Sequence, residues 1–149
     1  MKILSGNKVI ESEWQQVAIN ESAGEQPWLI LPLERWRLLS AQTRRRTDLA
    51  VWLDSHEAVE SIVDDLQTLP LVGLNFPVFT DGRPFSSAWL LRTRYGFQGE
   101  IRALGDVRYD LLEQMYRTGF NTFSISDEQV LEKAASTSLY FSDYYQATG

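Results

Sequence analysis

The chain has 149 residues, 44% of them hydrophobic and 23% charged, with a net charge of −6, the composition of one ordinary globular domain able to bury a full core. Its acidic balance disfavours nucleic acid and anionic membranes as partners, since both need a positive face. With no cysteine and a single histidine, His56, it has no disulfide, thiolate or cysteine-ligated cluster chemistry and no multi-histidine metal site within one chain. No stretch has the apolar length of a membrane span, and MKILSGNKVIESEW lacks the apolar core of a secretory signal, so a cytoplasmic location is expected.

Residues 1–27 read as an irregular amino-terminal segment, with short alternations at Lys8–Ile10 and Gln16–Ile19 that predict a small strand pair, followed by the loop Asn20–Pro27. Trp28–Leu33 is a first apolar strand. It leads into a predicted helix over Glu34–Arg46, with Trp36, Leu38 and Leu39 on its apolar side. Leu49–Leu53 is a second strand, after which Ser55 is placed to cap a helix running to about Leu69. Leu71–Phe79 is a third strand, and its helix spans about Pro84 to Tyr95, with proline in the first turn where its missing N–H costs nothing.

Glu100–Leu104 is a fourth strand, followed by a helix over about Arg108–Thr118 that Gly119 stops. Phe120–Ile125 is a fifth strand. Ser126, with Gln129 three residues on, begins a helix to about Phe141, and residues 142–149 form a tail.

Five strand–helix units within one domain predict an α/β fold with a mainly parallel sheet. A doubly wound, three-layer sandwich is the preferred arrangement and a partial (half) β/α barrel the alternative. The alternative arises because Asp48, Asp54, Asn75, Glu100, Arg102, Thr122 and Ser124 interrupt strands that a sheet covered on both faces would keep apolar.

Two glycine–aspartate turns, Asp81-Gly82 and Gly105-Asp106, fall between a strand and a helix, at the strand ends where parallel α/β sheets bind ligands. Gly82, Arg83, Ser86 and Ser87 at the start of a helix are suited to a small anion such as phosphate, sulfate, sulfite or a carboxylate. Asp81 as a local cap beside a solvated Arg83 accounts for the same residues, with Gly82 in an unusual backbone conformation. Asp106 either caps its helix or joins Asp81 as an acid/base or magnesium-binding pair.

Glu100 and Arg102 share one strand face; on an edge strand they are ordinary, and buried they are candidates for proton transfer and anion binding respectively. Arg92 and Arg94, two residues apart on a helix, point to different faces, and one of them is expected to pair with Glu100, Asp106 or Asp110. Tyr140, Phe141, Tyr144 and Tyr145 form an aromatic cluster suited to docking a second copy in a homo-oligomer. No phosphate-loop, dinucleotide or nucleophile-elbow motif is present, and nothing assigns a cofactor or a resident metal.

The string FTDGRPFSSAWLLRTRYGFQGEIRALGDVRYDLLEQMYRTGFNTF resembles a bacterial family catalogued as domain of unknown function 934 (DUF934). The residues that carry the resemblance are Phe79, Asp81, Gly82, Arg83, Ser87, Ala88, Leu91 and Arg92, then Gly99, Glu100, Arg102, Gly105 and Asp106, then Arg117, Gly119 and Phe120. Members of that family are usually encoded near genes for assimilatory sulfite reduction and are often labelled oxidoreductases. The resemblance therefore implies an accessory role beside the sulfite-reduction proteins, with a small-molecule enzyme acting on an anionic or phosphorylated substrate as the alternative. It supplies no catalytic residue.

Overall fold

The structure, a computed structural model, describes residues 1–22 and 24–136. Its centre is one eight-stranded sheet: β1 (Lys2–Ser5), β2 (Lys8–Glu11), β3 (Gln15–Gln16), β4 (Leu29–Pro32), β5 (Leu49–Leu53), β6 (Leu71–Phe76), β7 (Glu100–Gly105) and β8 (Thr122–Phe123). The strand order is β2-β1-β8-β7-β6-β5-β4-β3. From β3 to β8 every neighbouring pair is parallel, whereas β1 runs antiparallel to both β8 and β2.

The helices are α1 (Leu33–Leu38), α2 (Arg83–Thr93), α3 (Leu112–Thr118) and α4 (Glu128–Ser136), with 3₁₀ turns at Thr43–Arg45, Val59–Asp65 and Tyr109–Leu111.

β4 through β8 are laid down side by side in chain order, without the reversal that sends helices to the second face of a doubly wound sheet. Crossovers of one hand then all fall on one face. The core agrees: Trp36, Val59, Ile62, Ala88, Leu91, Leu112, Met115 and Leu131 all join Val51, Leu74, Ile101 and Phe123 in one cluster. The alternate strand residues Ile30, Ala50, Trp52, Leu71 and Leu104 form a second, smaller cluster covered by Trp14.

That second face is concave. β2 and β3 lie on opposite edges, about 34 Å apart along a flat sheet at ~4.8 Å per strand. Only Ser12, Glu13 and Trp14 join them, a connection reaching at most about 14 Å. The sheet must curl, with the connection on the face where Ser12 meets Arg102 and Trp14 meets the small cluster. The partial-barrel alternative fits this arrangement. A second helical layer, which the preferred sandwich requires, is not found among the described residues.

Several local expectations are corrected. The alternations at Lys8–Ile10 and Gln16–Ile19 do not pair with each other. β2 pairs with β1, and β3 pairs with β4 at the far edge. The helix expected over Glu34–Arg46 ends at Leu38: Leu39 is extended, and the Ser40 hydroxyl accepts the Thr43 N–H to start a separate turn. Leu38, expected on the apolar side, is exposed.

Ser55 caps no helix. The Asp54 carboxylate accepts its N–H, Glu57 accepts that of Asp54, and the chain forms a 3₁₀ turn further on. Asp127, rather than Ser126, caps α4 by accepting the Gln129 and Val130 N–H groups. The aromatic cluster Tyr140, Phe141, Tyr144 and Tyr145 lies outside the described residues.

Candidate functional site

The carboxyl ends of β5, β6 and β7 meet at one end of the curled sheet, where a parallel barrel carries its ligand-binding loops. β6 stops at Phe76, and the loop from Pro77 to Gly82 turns the chain into α2. Asp81 occupies the start of that helix. Its Oδ1 accepts the Arg83 backbone N–H and Nε, both at 3.0 Å, and its Oδ2 accepts the second guanidinium nitrogen at 2.7 Å.

Arg83 also donates to the Ser55 hydroxyl at 2.9 Å, which ties the loop after β5 to that after β6. The Arg83 guanidinium, followed by its backbone N–H, holds the Asp81 carboxyl far below the usual carboxylate range, and the same contact raises Arg83.

The first turn of α2 is largely satisfied by the protein itself. The Arg83 N–H goes to Asp81, Pro84 has none, and the Phe85 N–H goes to the Gly82 carbonyl. Ser86 is exposed and Ser87 half-buried. Gly82 has an ordinary helical backbone, φ −82°, and not the unusual conformation expected for it.

Asp106 links the second glycine–aspartate turn to the first loop. Its Oδ2 accepts the Phe79 N–H at 2.8 Å and its Oδ1 accepts Arg108 Nε at 2.7 Å. Arg108 in turn lies 4.3 Å above the Phe79 ring. The Arg108 contact, followed by the Phe79 N–H, lowers Asp106 and raises Arg108. Asp106 therefore bridges two loops instead of capping α3.

Gly105 makes the bridge sterically feasible. It sits at φ +84°, and a Cβ there would strike Asn75 Oδ1 and the Phe76 carbonyl. Asn75 is itself anchored, donating to Asp54 at 3.1 Å.

Glu100 and Arg102 stand elsewhere. Glu100 opens β7 and Asp106 follows its end, a separation of about 20 Å along an extended strand. β7 is fourth of the eight strands, so the edge-strand reading of this pair is overturned. Arg102, 3% exposed, faces the concave side. It donates to Glu100 Oε2 at 2.7 and 3.1 Å, to Thr122 at 3.4 Å and to Ser12 at 3.1 Å.

The sequence candidates thus divide in two. Asp81, Gly82, Arg83, Ser86, Ser87 and Asp106 surround the loop ends, while Glu100 and Arg102 form an interior ion pair. Sequence reasoning missed Ser55 as the partner of Arg83, and Arg108 as the partner of Asp106 and Phe79. The available signal was the polar ends of apolar strands, Asp54 and Asn75. Among the described residues no group of three or more His, Asp or Glu could hold a metal ion, and no helix is long and apolar enough to cross a membrane.

Comparison with known families decides the relationship: residues 50–149 match the family described as bacterial protein of unknown function (DUF934). The chain belongs to the DUF934 family. The matched span takes in β5 from its second residue, β6 through β8 and both glycine–aspartate turns. No curated protein and no solved structure matches this DUF934 chain.

Proposed function

We propose that this DUF934 protein is a non-catalytic accessory protein associated with assimilatory sulfite reduction, and that it works through the loop ends of β5, β6 and β7. The observation that carries the non-catalytic part is the state of the two carboxylates. Asp81 and Asp106 are each bound by an arginine two residues on, which lowers Asp106 and holds Asp81 far below the carboxylate range, so neither holds a proton to give near neutral pH.

Both guanidiniums nonetheless remain open to a partner, with Arg83 61% and Arg108 55% exposed. An acidic group of a partner protein, or a small oxyanion, can share or replace the carboxylate each arginine holds. The association with sulfite reduction rests on the setting of the family.

Pull-down of tagged wild type and of an Arg83→Ala/Arg108→Ala variant from native cells tests this reading. Recovery of sulfite-assimilation proteins with wild type, reduced in the variant, is expected; wild type that recovers none of them refutes it. The alternative, an enzyme acting on a small anion, draws support from the position of the cluster at the carboxyl ends of parallel strands. A thermal-shift screen with sulfite, sulfate, phosphate, flavins and nicotinamide nucleotides separates the two. A rise with a flavin or nicotinamide nucleotide that is lost in Arg83→Ala favours the enzyme, whereas a rise with an oxyanion alone fits both readings.

A further inference from the structure

Ser12–Val17 cross the concave face and join the two edges of the sheet, tied down at Ser12 by the Met1 amine and at Trp14 by the ring of Trp28, edge-on at 5.2 Å. The Ser12 N–H bonds the Met1 carbonyl, the Trp14 N–H bonds the Ser12 hydroxyl, and the Gln15 and Val17 N–H groups bond the Trp28 and Ile30 carbonyls. From the sheet, Arg102 donates to Ser12, and Trp52 Nε1 donates to the Val17 carbonyl at 2.8 Å. Only Val17 of this segment enters the helix-side core; Trp14 is half-buried against the smaller cluster. β3 is two exposed residues on a sheet edge.

Beneath the segment lies something other than plain apolar core. Arg102 and Thr122 are the buried polar residues of the described chain, and Glu100 binds both, at 2.7 Å and 2.8 Å. A buried charge is tolerated when it keeps its partner. Arg102 keeps Glu100 and Thr122 whether or not Ser12 is present, so lifting the segment strands no charge. The parallel strands and their helices keep nearly all of their own core in the same event.

We propose that Ser12–Val17 is a strap that opens as a unit while β5–β7 stay folded, and that its opening uncovers the Glu100–Arg102–Thr122 cluster on the concave face. Segments that bury little of themselves open at free energies well below that of global unfolding, and of Ser12–Val17 only Val17 is fully buried. The strap therefore makes the curl of the sheet a two-state property: closed, the edges are held together and Arg102 and Thr122 are buried while Glu100 keeps part of its side chain in solvent; open, all three meet solvent.

Amide hydrogen exchange on the full chain under native conditions reads this out. The N–H groups of Ser12, Trp14, Gln15 and Val17 are expected to exchange at least about a hundredfold faster than those of β6 and β7, with the Nε–H of Arg102 following the strap. Trp14→Ala is expected to speed the strap by about tenfold more and leave β6 and β7 unchanged. Strap amides that exchange only at the rate of β6 and β7, or a Trp14→Ala variant that speeds both equally, overturn the proposal. Should Trp14→Ala not fold, the wild-type comparison and Ser12→Ala, which removes the hydroxyl that accepts from Arg102 and from the Trp14 N–H, decide the matter.

Discussion

Arg92 is the residue whose removal the structure predicts most concretely. Either it or Arg94 was expected to find a carboxylate, and its half-buried guanidinium instead binds three backbone carbonyls. Nε and one terminal nitrogen reach the Gly119 carbonyl at 3.0 and 2.9 Å, and the other reaches those of Phe97 and Gly99, both at 2.8 Å. Burial alone lowers its pKa, though an arginine stays charged throughout the physiological range. One side chain thus pins α2 to the segment before β7 and to the end of α3.

Arg92→Ala strands three carbonyls at about 1 kcal/mol each, or about 3 kcal/mol in all. That is a large share of the roughly 5–15 kcal/mol that holds a domain together, and about 10 °C in Tm for a chain of this length. Urea denaturation followed by circular dichroism measures it, and the denaturant slope should not change. Arg92→Lys should recover little, because one ammonium cannot span three acceptors. An alanine variant within 1 kcal/mol of wild type, or a lysine variant as stable as wild type, would refute the clamp.

Breaking the interior pair with Arg102→Met should cost about 3–5 kcal/mol, whereas Arg102→Met with Glu100→Leu should return close to wild type; denaturation midpoints compare the two. Gly105→Ala should cost at least about 2 kcal/mol by the same measurement, because φ is +84° and the new Cβ would meet Asn75 and the Phe76 carbonyl. Asp81 and Asp106 are depressed in the folded chain relative to about 3.9 unfolded. Their stabilisation is therefore complete above that value and is lost as pH falls through the folded pKa. Denaturant titrations from pH 7 down to pH 2 should show this loss, and Asp81→Asn should flatten part of it.

What could be read in advance follows from how local each signal is. Leu49–Leu53 and the strands at Leu71 and Glu100 were legible because short apolar runs bounded by Asp54, Asn75 and Gly105 have no other use in a sheet. α2 was legible because Pro84 sits in its first turn. β1 was missed although Gly6-Asn7, with Gly6 at φ +60°, joins Lys2–Ser5 to β2 as a two-residue hairpin; only its other partner, β8, is unrelated to it by any local pattern.

The run from Ser55 to Leu69 has helical spacing, yet its entry is taken by Asp54 and Glu57 bonding each other's backbone and neighbours, and a 3₁₀ turn results. The choice between sandwich and half-barrel depends on strand order, which no local pattern encodes. The polar intrusions did carry it, since Arg102 and Thr122 are neighbours across the concave face. At the site, Asp81 and Arg83 were legible as a turn, but Ser55 is 28 residues from Arg83 and only the fold brings them together.

The residues that carry the DUF934 resemblance separate once each contact is known, and the separation narrows where function can reside. Arg92 with Gly99 and Gly119 is a clamp, and Gly119 is further constrained because a Cβ there would lie 2.8 Å from Arg92 Cγ. Phe120 packs 5.6 Å from Phe76 in the core, and Ala88 and Leu91 are buried with it. Glu100 and Arg102 belong to the interior, and Gly105 to the turn that lets Asp106 reach Phe79.

Stability alone accounts for all of these. It does not by itself account for Phe79 and Arg83, which are exposed although Asp106 holds the one through its backbone and Asp81 holds the other through its guanidinium. A side chain kept for packing is buried, whereas Arg83 and Phe79 face solvent. Substitutions that abolish partner capture with little change in melting temperature should therefore concentrate in Phe79, Arg83 and Arg108, whose side chains face solvent.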